Sequence, residues 1–275
     1  MPILNTQGIS QYFETFGDPG NPPVMLITGL GGVGVSWGSQ IARFAARYYV
    51  ILPDHRGTGK TTHASDGYST QQLARDMAAI VEHLGLGPVH VVGASTGGAI
   101  AQYMALDHPH TVRTLTLSST FARFDAYTRR EFEVRRKMAA AWDRHDLLSS
   151  YSLFLFSPRY TRQHPELVQA WIDRAASHPE PPEDREIGLK RIDMLLAHDA
   201  LERLPEIRQS ALVVCGDHNF CTPLPLSEEI AHAIPGAELV IFPEGGELIE
   251  HEQEEKYFQI VSAFIDRLKQ KSELL

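Results

Sequence analysis

The chain has 275 residues, 43% of them hydrophobic, which is enough for one large domain or a domain with an insertion and excludes a peptide hormone or disulfide miniprotein. Lysine and arginine total 25 against 34 aspartates and glutamates, a formal charge of -9, and no stretch concentrates positive charge; this points away from nucleic acid and anionic membrane as partners. The two cysteines, Cys215 and Cys221, are too few for a disulfide framework and read as packed thiols in a reducing compartment. With no basic-then-apolar leader and no run near the ~18 apolar residues of a membrane span, the expectation is a soluble, cytoplasmic protein.

Short β-rich apolar runs alternate with helical patterns, the signature of an α/β fold with a mostly parallel sheet flanked by helices. Strands are expected over residues 9–16, 24–28, 49–53, 89–92 and 114–117, with helices over 70–84 and 96–106. In the first of these helices Leu73, Met77, Ile80 and Leu84 recur at helical spacing, and Gly85 and Gly87 are stop signals. From about 121 to 206 the rhythm breaks: charged-faced helical stretches such as 129–142 and 165–176 appear, punctuated by Pro179, Pro181 and Pro182, and no parallel-strand run is present. Strands over 212–215 and 239–242 and a helix over 254–268 then resume the pattern. The reading is a core in two parts, 1–120 and 207–275, separated by a helical cap over 121–206. No internal repeat or low-complexity tract interrupts it.

Three glycine-rich segments compete for the functional reading. Gly29-Leu30-Gly31-Gly32-Val33-Gly34 fits the dinucleotide fingerprint, and Asp54 ends the next strand 20 residues past Gly34, but an earlier strand precedes it where such domains usually begin. The run from Asp54 to Thr61 ends in Gly-Lys-Thr like a phosphate-binding loop, yet Asp54 stands at its first glycine position and loop, not helix, follows. In the third segment, Val91-Val92-Gly93-Ala94-Ser95-Thr96-Gly97-Gly98, a strand, G-x-S-x-G and a helix follow in the order a nucleophile elbow demands. The sharp turn strains Ser95, small Gly93 and Gly97 admit neighbouring chain, and the helix N-terminus favours developing negative charge at the serine. This third signal carries the most specific spacing.

On these motifs the chain resembles the α/β-hydrolase fold superfamily, particularly its lidded bacterial esterase and enol-lactonase-like members, over nearly all residues outside the cap. The resemblance implies Ser95 as nucleophile and the backbone N–H groups of Leu30 and Thr96 as the oxyanion hole. It also makes the Asp54–Thr61 run a family strand-end loop, which accounts for the phosphate-like signal. Gly216 to Pro223 resembles the segment that supplies the catalytic acid, and Pro243 to Glu250 the segment that supplies the base, with Glu252 at an acidic position downstream. Here the chain departs from its family: Asn219 occupies the aspartate position and Glu247 the histidine position.

That departure changes the expected chemistry. A histidine base takes the serine proton and its acid partner stabilises the cation, whereas an ordinary glutamate, with a pKa of about 4.3, is a feeble base unless burial raises it. Asn219 is expected to donate its amide N–H to Glu247, leaving a self-satisfied pair and weakened or abolished hydrolysis. Among the 13 histidines, His251 is expected to aim away from Ser95, and His218 and His55 read as loop histidines. Asp125 offers an acid in principle, without a base to serve. Two explanations stay open: a natural pocket turned to binding or to a lyase-like or cyclase-like task, or a hydrolase altered by near-isosteric substitution.

Pocket-lining candidates are Leu30, Trp37, Ser119, Phe154, Phe156, Trp171 and Phe220, an aromatic set that favours a small apolar or aromatic molecule. For each aromatic, cap packing competes with ligand contact. No residue spacing suits a metal, and no cofactor is expected. The leading expectation is a serine hydrolase scaffold for a small carboxylic ester or lactone, with Ser95, Asn219 and Glu247 at the catalytic positions; the competing one is a non-hydrolytic protein using the same pocket.

Overall fold

The computed structural model describes residues 3–6, 8–177 and 182–272. Eight strands form one sheet in the order β1-β2-β4-β3-β5-β6-β7-β8. They are β1 (Ile3–Thr6), β2 (Ile9–Phe16), β3 (Pro23–Ile27), β4 (Tyr49–Pro53), β5 (Val89–Ala94), β6 (Val112–Ser118), β7 (Ser210–Gly216) and β8 (Glu238–Phe242). β1 pairs antiparallel with β2 and β2 antiparallel with β4; every pairing from β4 through β8 is parallel.

The helices are α1 (Ser39–Ala45), α2 (Thr70–Leu84), α3 (Thr96–Asp107), α4 (Ala126–Ala141), α5 (Arg144–Leu155), α6 (Pro158–Gln163), α7 (Pro165–Ala176), α8 (Pro182–Ala197), α9 (Leu224–Ala233), α10 (Ile249–Glu252) and α11 (Glu254–Ser272). They cover both faces of the sheet, and strand periodicity assigns residues to each. Met25 and Ile27 join Leu73, Met77, Met104 and Ile230 in one core, while the alternate Val24 and Leu26 join Phe44, Tyr257 and Val261 in the other. Burial on both faces is why most of β7 reads as a continuous apolar run and β5 is apolar but for His90, whose Nδ1 meets the Thr114 hydroxyl at 2.8 Å. The α2 boundaries have local causes: the Ser69 hydroxyl accepts from Gln72 N–H at the start, and Gly85 adopts a left-handed conformation at the end.

Between β6 and β7 lie α4 to α8 and a 3₁₀ turn at Leu201–Glu206, and among the described residues none of them joins the sheet; a lone bridge pairs Arg123 with Asp199. Pro179 and Pro181 lie outside the described residues, and Pro182 opens α8. The insertion is rooted in the main core, because Phe121, Phe124, Phe132, Ile192 and Leu195 all bury there. Its outer part keeps a small core of its own, Phe156, Val168 and Ile172. Among the described residues, no helix is long and apolar enough to cross a membrane. β1 is absent from the sequence reading: its side chains alternate between exposed and half-buried, so no apolar run marks it.

Candidate active site

Ser95 sits between β5 and α3 with φ 53 and ψ -118, a conformation that costs a non-glycine residue roughly 1–3 kcal/mol and persists only where its surroundings over-determine it. Those surroundings leave no room for side chains. A Cβ on Gly93 would fall 2.4 Å from the Gly97 carbonyl oxygen, and one on Gly97 would fall 2.1 Å from that of Ile27. The Ser95 N–H donates to Ser118 O at 2.8 Å, and the Thr120 hydroxyl donates to Ser95 O at 2.6 Å. The serine is thus gripped from the end of β6 while its own side chain stays partly accessible.

The loop after β3 passes directly over the elbow: a Cβ on Gly29 would lie 3.3 Å from Ser95 Cβ. Among the described residues the N–H groups of Leu30 and Thr96 have no hydrogen-bond acceptor. Two devices hold this loop. The Asp54 carboxylate accepts from Gly34 N–H at 2.8 Å and from Lys60 N–H at 2.9 Å, and burial raises its pKa against the pull of those donors. From the insertion, Arg191 on α8 donates through Nε and Nη2 to Leu30 O at 3.1 and 2.8 Å, through Nη1 to Arg56 O at 3.3 Å, and meets His55 Nδ1 at 2.9 Å. Burial, reinforced by Arg191, pushes His55 well below the usual imidazole range, so the neutral ring can accept at Nδ1. The glycine signals that imitate nucleotide motifs therefore have a local explanation. Asp54 is a clamp between two loops, Lys60 Nζ reaches the Tyr12 hydroxyl at 2.9 Å, and no helix follows before Thr70.

Glu247 is buried beside this assembly. Its Oε2 accepts from Asn219 Nδ2 at 2.8 Å and from the Thr222 hydroxyl at 2.6 Å, and its Oε1 has no hydrogen-bond partner. Asn219 is itself fixed: its Oδ1 accepts from the N–H groups of Cys221 and Thr222 at 3.0 and 2.9 Å, which orients the NH₂ group toward Glu247. Burial raises the Glu247 pKa, while Thr222, Ser95, Asn219 and then the Arg135 charge pull it back. The Ser95 hydroxyl thus lies within hydrogen-bonding reach of the Glu247 carboxylate. The insertion also fixes this segment, since Leu155 O accepts from both Glu247 and Leu248 N–H at 3.1 and 3.2 Å. Glu252 accepts from Gly246 N–H and from the Ser157 N–H and hydroxyl.

Around Glu247 the charges are unusual for an interior. Arg135 of α4 is buried, with Nη1 3.3 Å from Glu131 Oε1 and 3.0 Å from Cys221 Sγ, and its guanidinium lies over the Phe132 and Tyr151 rings. Burial pushes Glu131 up to about 8 and Glu250 up to about 8, and the Glu247 charge adds to both. The same charge helps keep the buried thiols of Cys215 and Cys221 protonated, after desolvation as the main cause.

The other sequence candidates are distributed as follows. His251 packs under Gly38, its Cε1 3.3 Å from where a Cβ there would be; His218 is exposed; Asp125 caps α4, accepting from Thr128 N–H at 2.8 Å. Ser119 is buried at the end of β6 with φ 45, and its hydroxyl has no partner. Phe154 is partly buried near Arg135, and Phe220 is exposed. Trp37 lies instead in the core under α11, 6.3 Å from the Tyr257 ring, and Phe156 and Trp171 pack edge-on in the outer core of the insertion. All three rings pack against other aromatic rings of the protein. Sequence reasoning passed over Thr120, Thr222, Arg135 and Arg191. Thr222 lies inside the Asn219 motif and was open to notice, whereas the others act across long chain separations. Among the described residues no group of three or more side chains could hold a metal ion.

Residues 22–252 match the alpha/beta hydrolase fold family. The chain belongs to that family. A relative named putative carbamate hydrolase RutD, from Azorhizobium caulinodans, is 33% identical over 239 residues, covering 87% of this chain and 88% of its own. Among solved structures, MGS-M2, an alpha/beta hydrolase enzyme from a Medee basin deep-sea metagenome library, superposes with a TM-score of 0.90 at 18% identity, over 96% of this chain and 97% of its own. The enol-lactonase from Burkholderia xenovorans LB400 gives 0.86 at 23% identity, over 96% and 100%. At those identities the two structures speak for the fold.

Proposed function

We propose that this α/β-hydrolase acts on a small, mainly apolar acyl compound, a carboxylic ester or lactone, through Ser95 as nucleophile, with the Leu30 and Thr96 N–H groups as oxyanion hole and Glu247, held by Asn219, in the base position. The observation that carries this reading is the strained Ser95 elbow with the Gly29–Leu30 chain pressed against it. The relatives' name extends the acyl class to carbamates. Turnover is slow, because a glutamate whose Oε2 is stabilised by two donors is a weaker proton acceptor than a triad imidazole. The helices between β6 and β7 act as a cap over the cleft, with Phe154, Phe220 and Ser119 nearest the bound molecule.

The test is hydrolysis of nitrophenyl esters, a lactone and an aryl carbamate by the parent and by Ser95→Ala. Slow turnover that vanishes in Ser95→Ala, with an acyl group trapped on Ser95 by mass spectrometry, is expected. Equal rates in the two proteins would overturn the nucleophile assignment.

A further inference from the structure

We infer that Glu247 also serves as a base toward carbon: with a carbonyl seated at the Leu30 and Thr96 N–H groups, its free carboxylate oxygen removes a proton from the neighbouring carbon, giving the site an enolising activity that does not need Ser95 as nucleophile. This goes beyond the hydrolytic reading and shares with it only the oxyanion N–H groups and Glu247.

Three observations carry the inference. The first is the division of labour within the carboxylate: Oε2 is occupied by Asn219 and Thr222, while Oε1 is buried and accepts from neither of those donors, with the Ser95 hydroxyl beside the carboxylate. A buried acceptor left unpaired costs free energy that a substrate C–H cannot recover by hydrogen bonding, but that proton transfer does recover. The second is the replacement itself. A histidine base becomes a cation on protonation and needs its acid; a glutamate becomes neutral on protonation, so no buried cation forms, and burial raises its proton affinity above that of an ordinary carboxylate. The third is the destination of the charge. A carboxylate base beside the Thr96 N–H at the start of α3, with the Leu30 loop pressed against Ser95, is an arrangement that can stabilise an enolate as it forms.

The electron count closes without any further reagent. The C–H bonding pair becomes the enolate C=C bond, the carbonyl π pair moves onto oxygen between the Leu30 and Thr96 N–H groups, and the proton rests on Glu247 Oε1. Reversal returns a proton to carbon. In D₂O the proton on Glu247 exchanges with solvent, so the substrate comes back deuterated.

That signature is the experiment. The parent is incubated in D₂O with 2-tetralone, 4-phenyl-2-butanone or methyl phenylacetate, and loss of the α-proton signal is followed by NMR; the two ketones have no bond to hydrolyse. Exchange in the parent is expected to exceed that of Glu247→Gln by about 10²-fold or more, and to survive in Ser95→Ala within about tenfold. Glu247→Asp, which withdraws the carboxylate by one methylene, is expected to fall between them and serves as the second variant if Glu247→Gln fails a thermal-melt check of folding. Parent exchange no faster than Glu247→Gln on all three probes overturns the inference, as does exchange lost in Ser95→Ala. Exchange that persists while no ester, lactone or carbamate is hydrolysed would sink the hydrolytic reading alone.

Discussion

Asn219 and Glu247 make sense only together. Their side chains meet at 2.8 Å, and an aspartate at 219 would set two carboxylates at that distance, where both cannot remain ionised. An amide with its oxygen tied to two backbone N–H groups and its NH₂ turned to Glu247 resolves the conflict, so the neutral residue at 219 is the electrostatic consequence of the acidic one at 247. The resemblance reads these two positions as departures because the motif residues around each are intact. What they do to one another was legible only as a donor and an acceptor; Thr222, the second donor, needed the turn of the 219–222 segment to be seen. If the pair acts as a unit, Asn219→Asp alone brings no gain in ester hydrolysis and lowers stability near neutral pH, as two carboxyls compete for one proton. Glu247→His alone brings less than about tenfold, for want of an acid. The double variant is expected to exceed the parent by about 10²-fold or more. Steady-state rates of the four proteins on one aryl ester check this, and equal gains from the two single changes would contradict the pairing.

At the level of elements, the sequence was most informative where a cause is local. The bounds of α2 follow from a serine cap, an apolar stripe and a left-handed glycine, and the observed Thr70–Leu84 agrees with the reading. Strand centres were also visible, since residues buried on both faces leave an apolar run; β5 and β6 extend further at both or one end because sheet pairing, not composition, fixes where they stop. The short edge strand β1 gave no such signal. Long-range clamps were invisible by the same logic. Arg191 carries nothing in its neighbourhood that predicts a bond to Leu30, yet its three nitrogens satisfy two loop carbonyls and face His55. Arg191→Met is therefore expected to lower kcat for ester turnover about 10- to 100-fold with KM nearly unchanged, because the Leu30 loop, and with it the proposed oxyanion hole, is loosened rather than the pocket remodelled. A stability loss of about 1–3 kcal/mol should accompany it, from the acceptors left unpaired. Arg191→Lys, keeping one donor, should restore part of the rate; a change confined to KM would assign Arg191 to substrate contact instead.

Across the whole molecule, the sequence conveyed the fold class, and the family match over residues 22–252 agrees with it. It did not convey how many charges the interior would hold. Burial lifts Glu250 from the ordinary carboxylate value of 4.5 to about 8. The folded protein then keeps a proton that the unfolded chain has released between those two values, so stability falls as pH rises through that window, by up to about 1.4 kcal/mol per pH unit for one such group. Glu250→Gln removes this linkage. Urea unfolding at pH 5 and pH 8 should show the variant gaining on the parent as pH rises, and parallel pH profiles would contradict the burial argument.

The Arg191 clamp also sets an order of events in time. Thr120 reaches Ser95 across 25 residues, whereas Leu30 waits for a side chain 161 residues further along the chain. Closing the longer loop carries the larger entropic penalty and depends on the helical insertion having docked. On the ribosome the strained serine can be in place while the loop above it is still unanchored, because the chain has yet to emerge as far as α8. The protein is thus built so that its strained turn precedes the parts that hold the loop above it, and a half-made copy carries the Ser95 turn without an anchored Gly29–Leu30 loop against it.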